Sequence, residues 1–484
     1  MNTTPQQIQL ALISHTNAGK TTLARTLIGI DVGEVRDAPH VTTLSEGHTL
    51  LSSPAGDTLQ LWDTPGFGDS VRLFKRLAQS GNPIGWFLRE VLDRYRDRPF
   101  WLSQQAVRTA RDNADVLLYL VNSAEDPKDA GYLVPEMKIL QWMGKPVLVL
   151  LNQMGPPRPF ADERAEQARW RQHLADYPVV RDVLALDAFA RCWVHERVFY
   201  KAVGKLLPDD RRDAYGRLFQ VWEQLNAARL QTAMELIAQQ LFTAAHDHES
   251  VELADGAIID SVLSAVGLRK PREQRRQNKA MQVLMNRLDG NILTTTSTLL
   301  RLHRLDAGDA PKIHERVHQG FVIRAPVDKK QAGLLGAALS GAATGLSADL
   351  MAGGLTFGAG ALLGGVVGAL TFSGAAWVFN ASTDRNEPRV TFSDDFLRNL
   401  LVASLLRYLA VAHFGRGRGN FVEAEAPAFW QQEVEAALTR HETELAAAWR
   451  ALRAELTAQK AVPLFTPTLV RVASDLLRRL YPDA

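Results

Sequence analysis

The chain has 484 residues, 46% hydrophobic and 22% charged, with a formal charge of +2 at pH 7. That length exceeds one ordinary core and suggests about three domains, while the composition excludes a disordered chain and the near-balanced charge excludes a general polyanion binder. A single cysteine, Cys192, excludes an intramolecular disulfide and fits a reducing cytosol, with a lone buried thiol as its plain reading.

The opening residues, Met1 to Gln7, lack the basic-then-apolar order of a secretory signal, and the apolar run Ile8–Ile13 is too short to cross a bilayer. Residues 1–195 alternate short apolar runs with helical patterns. The runs Ile8–Ile13, Leu59–Trp62, Val116–Val121 and Pro146–Leu151 are predicted strands of a covered, mostly parallel sheet, and the helices between them make a doubly wound α/β domain. Val71–Asn113 is an insert-sized helical segment carrying Trp86, Phe87, Phe100 and Trp101.

From about residue 196 to 320 the strand signal disappears, and stretches such as Leu218–Leu241 and Ala280–Leu305 predict a helical domain over 196–330. Between them lies the basic run Arg269–Lys279, read as a solvated helix face, with phospholipid headgroups or nucleic acid as the sharper alternative. Residues 331–383 contain one ionisable residue, Asp349, and are dominated by glycine and alanine. Residues 381–484 form a C-terminal helical region that includes Phe396–Ala412 and Glu433–Leu456.

The first chemical motif sits where the first strand ends. Ser14-His-Thr-Asn-Ala-Gly-Lys-Thr21 joins that strand to a helix opening at Thr22, the context in which free helix N–H groups cradle a phosphate. Asn17, Ala18, Gly19, Lys20, Thr21 and Thr22 are the candidate phosphate-loop residues. Gly19 permits close backbone approach, Lys20 supplies positive charge to the β- and γ-oxygens, and the Thr21 hydroxyl is placed to ligate Mg²⁺. Ser14 stands where the first glycine of such a loop is usual; it is small enough for the turn.

Forty-three residues after Lys20 comes Asp63-Thr-Pro-Gly66, at the end of a predicted strand. Asp63 can hold Mg²⁺ through water, and the Gly66 N–H can meet a γ-phosphate. Thr42, or else Thr43, is the candidate switch residue that completes the Mg²⁺ shell.

The order Asn17-Ala-Gly-Lys-Thr21, Thr42, Asp63-Thr-Pro-Gly66 and Asn152 resembles the bacterial Era and TrmE-like GTPases over about the first 190 residues. The resemblance implies a Mg²⁺-dependent GTP/GDP switch, with Lys20, Thr42 and Gly66 in the catalytic roles and Asn152 and Gln153 at the purine. In some members the position matching Asn17 helps bind a K⁺ that replaces an arginine finger and accompanies face-to-face pairing of two G domains. The later region resembles an uncharacterised family that follows such domains in bacteria.

Two departures stand out. The family's base-reading Asn-Lys-x-Asp is Asn152-Gln-Met-Gly155 here, so the carboxylate that reads guanine is absent, although Asp187-Ala188 could lie near the base. Phe67 follows Gly66 where some GTPases carry a water-orienting glutamine, which predicts slow intrinsic hydrolysis. His15 is either a substitute for that group or a structural loop histidine.

Within 331–380, Gly341-x₃-Gly345, Gly354-x₃-Gly358 and Gly360-x₃-Gly364-x₃-Gly368 set small residues on one helix face, as in membrane helix pairs. The segment suits two passes of about 20 residues with a turn near Asp349. Arg324, Asp328, Lys329 and Lys330 precede it and Arg385 follows, so a hairpin with both ends in the cytoplasm, at the inner membrane, satisfies the positive-inside tendency. A buried hairpin in a soluble bundle is the alternative.

His246-Asp-His-Glu-Ser250 reads as a solvated helix end before a metal site, and His413–Gly419 as a basic loop closing a helix. The whole pattern points to a GTPase switch at a membrane. The alternatives are a ribosome- or RNA-associated GTPase, for which no RNA-binding fold is evident, and a nucleotide-binding scaffold with little hydrolysis.

Overall fold

A computed structural model describes residues 4–15, 18–28, 46–64, 66–67, 69–78, 96–155, 158–186, 193–250, 269–304, 377–381, 388–413, 427–454 and 456–482. The chain divides into two compact units, one of residues 1–229, 412–424 and 477–484, the other of residues 230–411 and 425–476.

The first unit is built on a six-stranded sheet. Its strands are β1 (Gln7–Ser14), β2 (Glu46–Ser52), β3 (Thr58–Asp63), β4 (Val116–Asn122), β5 (Val147–Asn152) and β6 (Val180–Ala185), in the spatial order β2-β3-β1-β4-β5-β6. All neighbours pair in parallel except β2, which runs antiparallel to β3. The helices are α1 (Lys20–Ile28), α2 (Ser70–Ala78), α3 (Arg98–Asn113), α4 (Leu133–Met143), α5 (Phe160–His173) and α6 (Trp193–Leu206), followed by the long α7 (Asp209–His246). The boundary between the two units falls within α7.

Apolar side chains of the central strands leave on both faces, which explains their unbroken hydrophobic runs. On one face Ile8, Leu10, Leu12, Leu118 and Leu120 pack with Leu23 and Ala24 of α1 and with Phe199, Leu218 and Trp222. On the other, Ala11, Ile13, Tyr119 and Val149 pack with Val107 of α3 and Met137 and Leu140 of α4. Each fully buried leucine contributes about 2 kcal/mol over an exposed one.

Asp57, in the turn between β2 and β3, locks α7 onto this sheet. It is fully buried. Its carboxylate accepts from Arg217 Nε at 2.7 Å and the second Arg217 nitrogen at 2.9 Å, from Ser53 Oγ at 2.7 Å and from the Gln6 N–H at 3.1 Å. These donors, Arg217 foremost, hold its pKa at about 2, against the desolvation that opposes them.

The second unit contains a small antiparallel sheet of β7 (His248–Ser250), β8 (Trp377–Ala381) and β9 (Pro388–Phe392), in the order β7-β9-β8. Its helices are α8 (Arg269–Leu302), α9 (Asp394–Ala412), α10 (Ala428–Arg440), α11 (Glu442–Arg453) and α12 (Ala458–Leu480), with the last residue of α9 and the final turn of α12 assigned to the first unit. Ser393 caps α9: its hydroxyl accepts from the Phe396 N–H at 3.1 Å, and Asp394 and Asp395 follow in the first turn.

Three expectations change here. A strand, β7, interrupts the region read as purely helical, because its pairing with β9 bridges His248 to Thr391 and leaves no local pattern. The glycine-rich segment does not run as a hairpin to residue 380: Trp377, Val378 and Phe379 are strand formers and lie in β8. The C-terminal region opens with a strand as well. Residues 433–453 are helical as expected, in two helices that meet at His441. Residues 331–376 lie outside the described residues, and among the described residues no helix is long and apolar enough to cross a membrane.

Candidate nucleotide-binding site

Strand β1 ends at Ser14, and α1 begins at Lys20. Gly19 holds the turn between them with φ +87°, a conformation that glycine adopts without strain. Its carbonyl accepts from the Leu23 N–H at 3.0 Å, which commits the chain to the helix and leaves first-turn N–H groups directed out of its end. Lys20 is buried, and burial lowers its pKa while Asp63 and Glu136 act against that shift.

The β1–β3 register brings the second motif alongside, with Leu12 opposite Asp63. The Thr21 hydroxyl donates to Asp63 Oδ2 at 2.9 Å. A hydroxyl and a carboxylate oxygen meeting beside a buried lysine are the hard oxygen donors that Mg²⁺ takes. Thr64 donates to the Leu12 carbonyl at 2.7 Å, and the Phe67 N–H donates to the Ser14 carbonyl at 2.9 Å. Gly66 is buried, and its carbonyl accepts from Ser103 Oγ of α3 at 3.2 Å. The Phe67 side chain is packed in the core with Ala11, Ile13, Leu73 and Phe100. This segment therefore continues the parallel pairing of β3 alongside β1.

Asn152 closes β5 and is fully buried; its Nδ2 donates to the Ala18 carbonyl at 2.9 Å. Its position at the purine rests on family likeness, whereas its contact with the phosphate loop is direct. Gln153 follows with φ 59°, its amide near Gly19, and Gly155 has φ 80° with open space where a side chain would project. Gly155 thus offers no group to a base. Thr22 lies in the first turn of α1, where its carbonyl accepts from the Thr26 hydroxyl at 3.0 Å. Asn17, Thr42, Thr43, Asp187, Ala188 and Cys192 lie outside the described residues.

The site also contains a group that the sequence reading did not assemble. His15 Nδ1 lies 2.7 Å from Glu136 Oε1, and Tyr119 Oη donates to Glu136 Oε2 at 2.6 Å. The His15 ring stacks on Tyr132 at 4.2 Å and 15°, and Tyr132 Oη donates to Glu125 Oε2 at 2.9 Å. Burial raises the pKa of Glu136, opposed by the bonds from His15 and Tyr119. Glu136 lies in α4 and Tyr119 in the apolar run of β4, so the sequence pattern of neither differs from that of an ordinary helix or core residue.

The lesser signals resolve within their own units. Asp247 pairs with Arg287 at 2.7 Å, Glu249 pairs with the same arginine at 2.7 Å, and His246 stacks on Phe242. Among the described residues no group of three or more metal-type side chains gathers. His413 is buried and hydrogen-bonded to Tyr481, while residues 414–419 lie outside the described residues.

The family model described as 50S ribosome-binding GTPase matches residues 9–153, and that described as a domain of unknown function, DUF3482, matches residues 179–463. No curated protein matches the chain. Among solved structures the chain is similar to Era of Aquifex aeolicus bound to GDP and aluminium fluoride, at 15% identity over 52% of this chain and 74% of that one, with a TM-score of 0.31. It is also similar to a GTP-binding protein of Sulfolobus solfataricus with GDP, at 16% identity over 45% of this chain and 53% of that one, TM-score 0.24. A third is the cytosolic domain of the FeoB iron transporter of T. maritima, at 20% identity over 37% and 56%, TM-score 0.22. The family match and the observed topology make the amino-terminal part a GTP-binding P-loop GTPase domain.

Proposed function

The chain belongs to the DUF3482 family, and we propose that it is a Mg²⁺-dependent GTPase acting as a nucleotide switch at the cytoplasmic face of a membrane. The observation that carries the nucleotide chemistry is the 2.9 Å bond between Thr21 and Asp63 beside the buried Lys20. Lys20 would meet the β- and γ-oxygens, and the first-turn N–H groups of α1 would meet the β-phosphate. Thr21 and, through water, Asp63 would hold Mg²⁺, which supplies neutralisation of the charge that develops on the phosphates. Gly66 and Thr42 would report the γ-phosphate. Phe67 has no group to orient water and is committed to the core, which supports slow turnover. K⁺ held at Asn17, with two G domains paired face to face, would supply stabilisation that Phe67 does not.

The test is affinity of the full chain for GTP, GDP and ATP with Mg²⁺, followed by phosphate release in K⁺ and in Na⁺. Lys20→Ala is expected to weaken triphosphate binding at least about 100-fold, since it removes charge-assisted bonds. Unchanged binding in that variant would sink the phosphate site. Equal ATP affinity would turn the GTPase into a general NTPase, as the bare Gly155 position permits, and equal rates in the two salts would remove the K⁺ part.

Residues 331–376 support the membrane part of the reading through their length, near-absence of charge and small-residue spacing. The full chain should sediment with membranes, and deletion of 331–376 should release it to the supernatant. Intact protein that stays in the supernatant without detergent would overturn this.

A further inference from the structure

A hydrolase that buries Phe67 where a water-orienting group is usual needs another acceptor near the γ-phosphate. His15 stands at the junction of the two segments that flank that end of the site. Its backbone pairs in parallel with Phe67, and the neighbouring Ser14 carbonyl takes the Phe67 N–H. Its imidazole is restrained twice, in its plane by Glu136 at 2.7 Å and across its face by Tyr132 at 4.2 Å.

Glu136 accepts from Tyr119 on one oxygen, and its other oxygen lies 2.7 Å from His15 Nδ1. With Glu136 ionised, the proton of this contact sits on His15 Nδ1 and Nε2 keeps its lone pair as an acceptor. The His15 side chain is 34% exposed, whereas that of Glu136 is fully buried. The network also reaches the phosphate lysine, because Glu136 is close enough to favour the charged form of Lys20. A buried carboxylate is costly to keep. A histidine needed only to fill a loop would not require one, nor a tyrosine to orient it.

We infer that His15 orients the attacking water through Nε2, with Glu136 and Tyr119 as positioning residues that hold its ring and tautomer. This rests on the hydrolysis proposed above. In the step, the water oxygen bonds to the γ-phosphorus as the bond to the β–γ bridging oxygen breaks. The electron pair of that bond stays on the β-phosphate, and the water proton ends on the released phosphate. His15 accepts a hydrogen bond from the water and takes no net proton.

The experiment is single-turnover hydrolysis of Mg²⁺-GTP by the full chain, with affinity for a fluorescent GDP analogue measured in parallel. His15→Ala should lower the rate about 100-fold or more with affinity within about threefold, the scale for losing one acid–base group. His15→Gln, whose amide carbonyl is also an acceptor, should recover most of that loss. Glu136→Gln should lower the rate by a smaller factor. A wild-type rate in His15→Ala sinks the inference and leaves the GTPase reading intact. A rate loss matched by affinity loss, with no recovery in His15→Gln, sinks it too, in favour of a purely structural loop histidine. If the wild-type chain binds GTP and never releases phosphate, the hydrolysis reading fails and this role falls with it.

Discussion

Gly19→Val should lower nucleotide affinity at least about 100-fold while moving the thermal transition by only a few degrees. Two independent obstacles meet at this position. The backbone has φ +87°, where a β-branched residue is a genuine outlier. A Cβ there would also sit 2.5 Å from Asn152 Nδ2, closer than real contacts allow. Asn152 is fully buried and bonded to the Ala18 carbonyl, so it has little room to yield. The loop must move instead, which takes Lys20 and the first-turn N–H groups out of register with a bound phosphate. Titration with a fluorescent GDP analogue and a melting curve check both halves of the statement. Wild-type affinity in the variant would mean that this backbone is not the phosphate cradle.

Asp57→Ala should destabilise the protein by about 2 kcal/mol, the scale of losing charge-assisted hydrogen bonds to a buried acceptor whose arginine partner is partly exposed. The variant leaves Arg217, Ser53 and the Gln6 N–H without their shared acceptor. The same carboxylate predicts a pH dependence. Its folded pKa, about 2, lies below its ordinary value of 3.8. Its contribution is therefore complete above that ordinary value and disappears as pH falls through the interval down to about 2. Chemical denaturation at pH 7 and at pH 2.5 measures this, since the stability gap between wild type and variant should narrow in acid. An equal gap at both pH values would show that the carboxylate's charge contributes nothing.

Much of the nucleotide site was legible because its chemistry is local. A loop that cradles phosphate must lie between a strand and a helix, and it needs a flexible residue, a cation and a hydroxyl in order. Gly19, Lys20 and Thr21 meet that requirement within three positions. Asp63 could be added from its place at the end of an apolar run, and β3 pairs with β1 so that its carboxylate reaches Thr21. The edge strand β2 was missed because Glu46–Ser52 is polar and pairs on one side only. Phe67 was read as an absence, the loss of a catalytic group; the fold shows that its ring is also a core residue.

What the sequence by itself determined are the contacts set by neighbours along the chain: the phosphate loop, the four central strands and the body of α9. Periodicity and capping act over a few residues and leave a readable pattern. Tertiary structure alone decided the pairs that lie far apart in sequence. Glu136 reaches His15 across 121 residues, Arg217 reaches Asp57 across 160, and β7 finds β9 across a comparable distance. A buried glutamate in a helix and a tyrosine in an apolar strand carry no local mark of their partner. Their roles arise only when the sheet's register brings α4 and β4 beneath the end of β1.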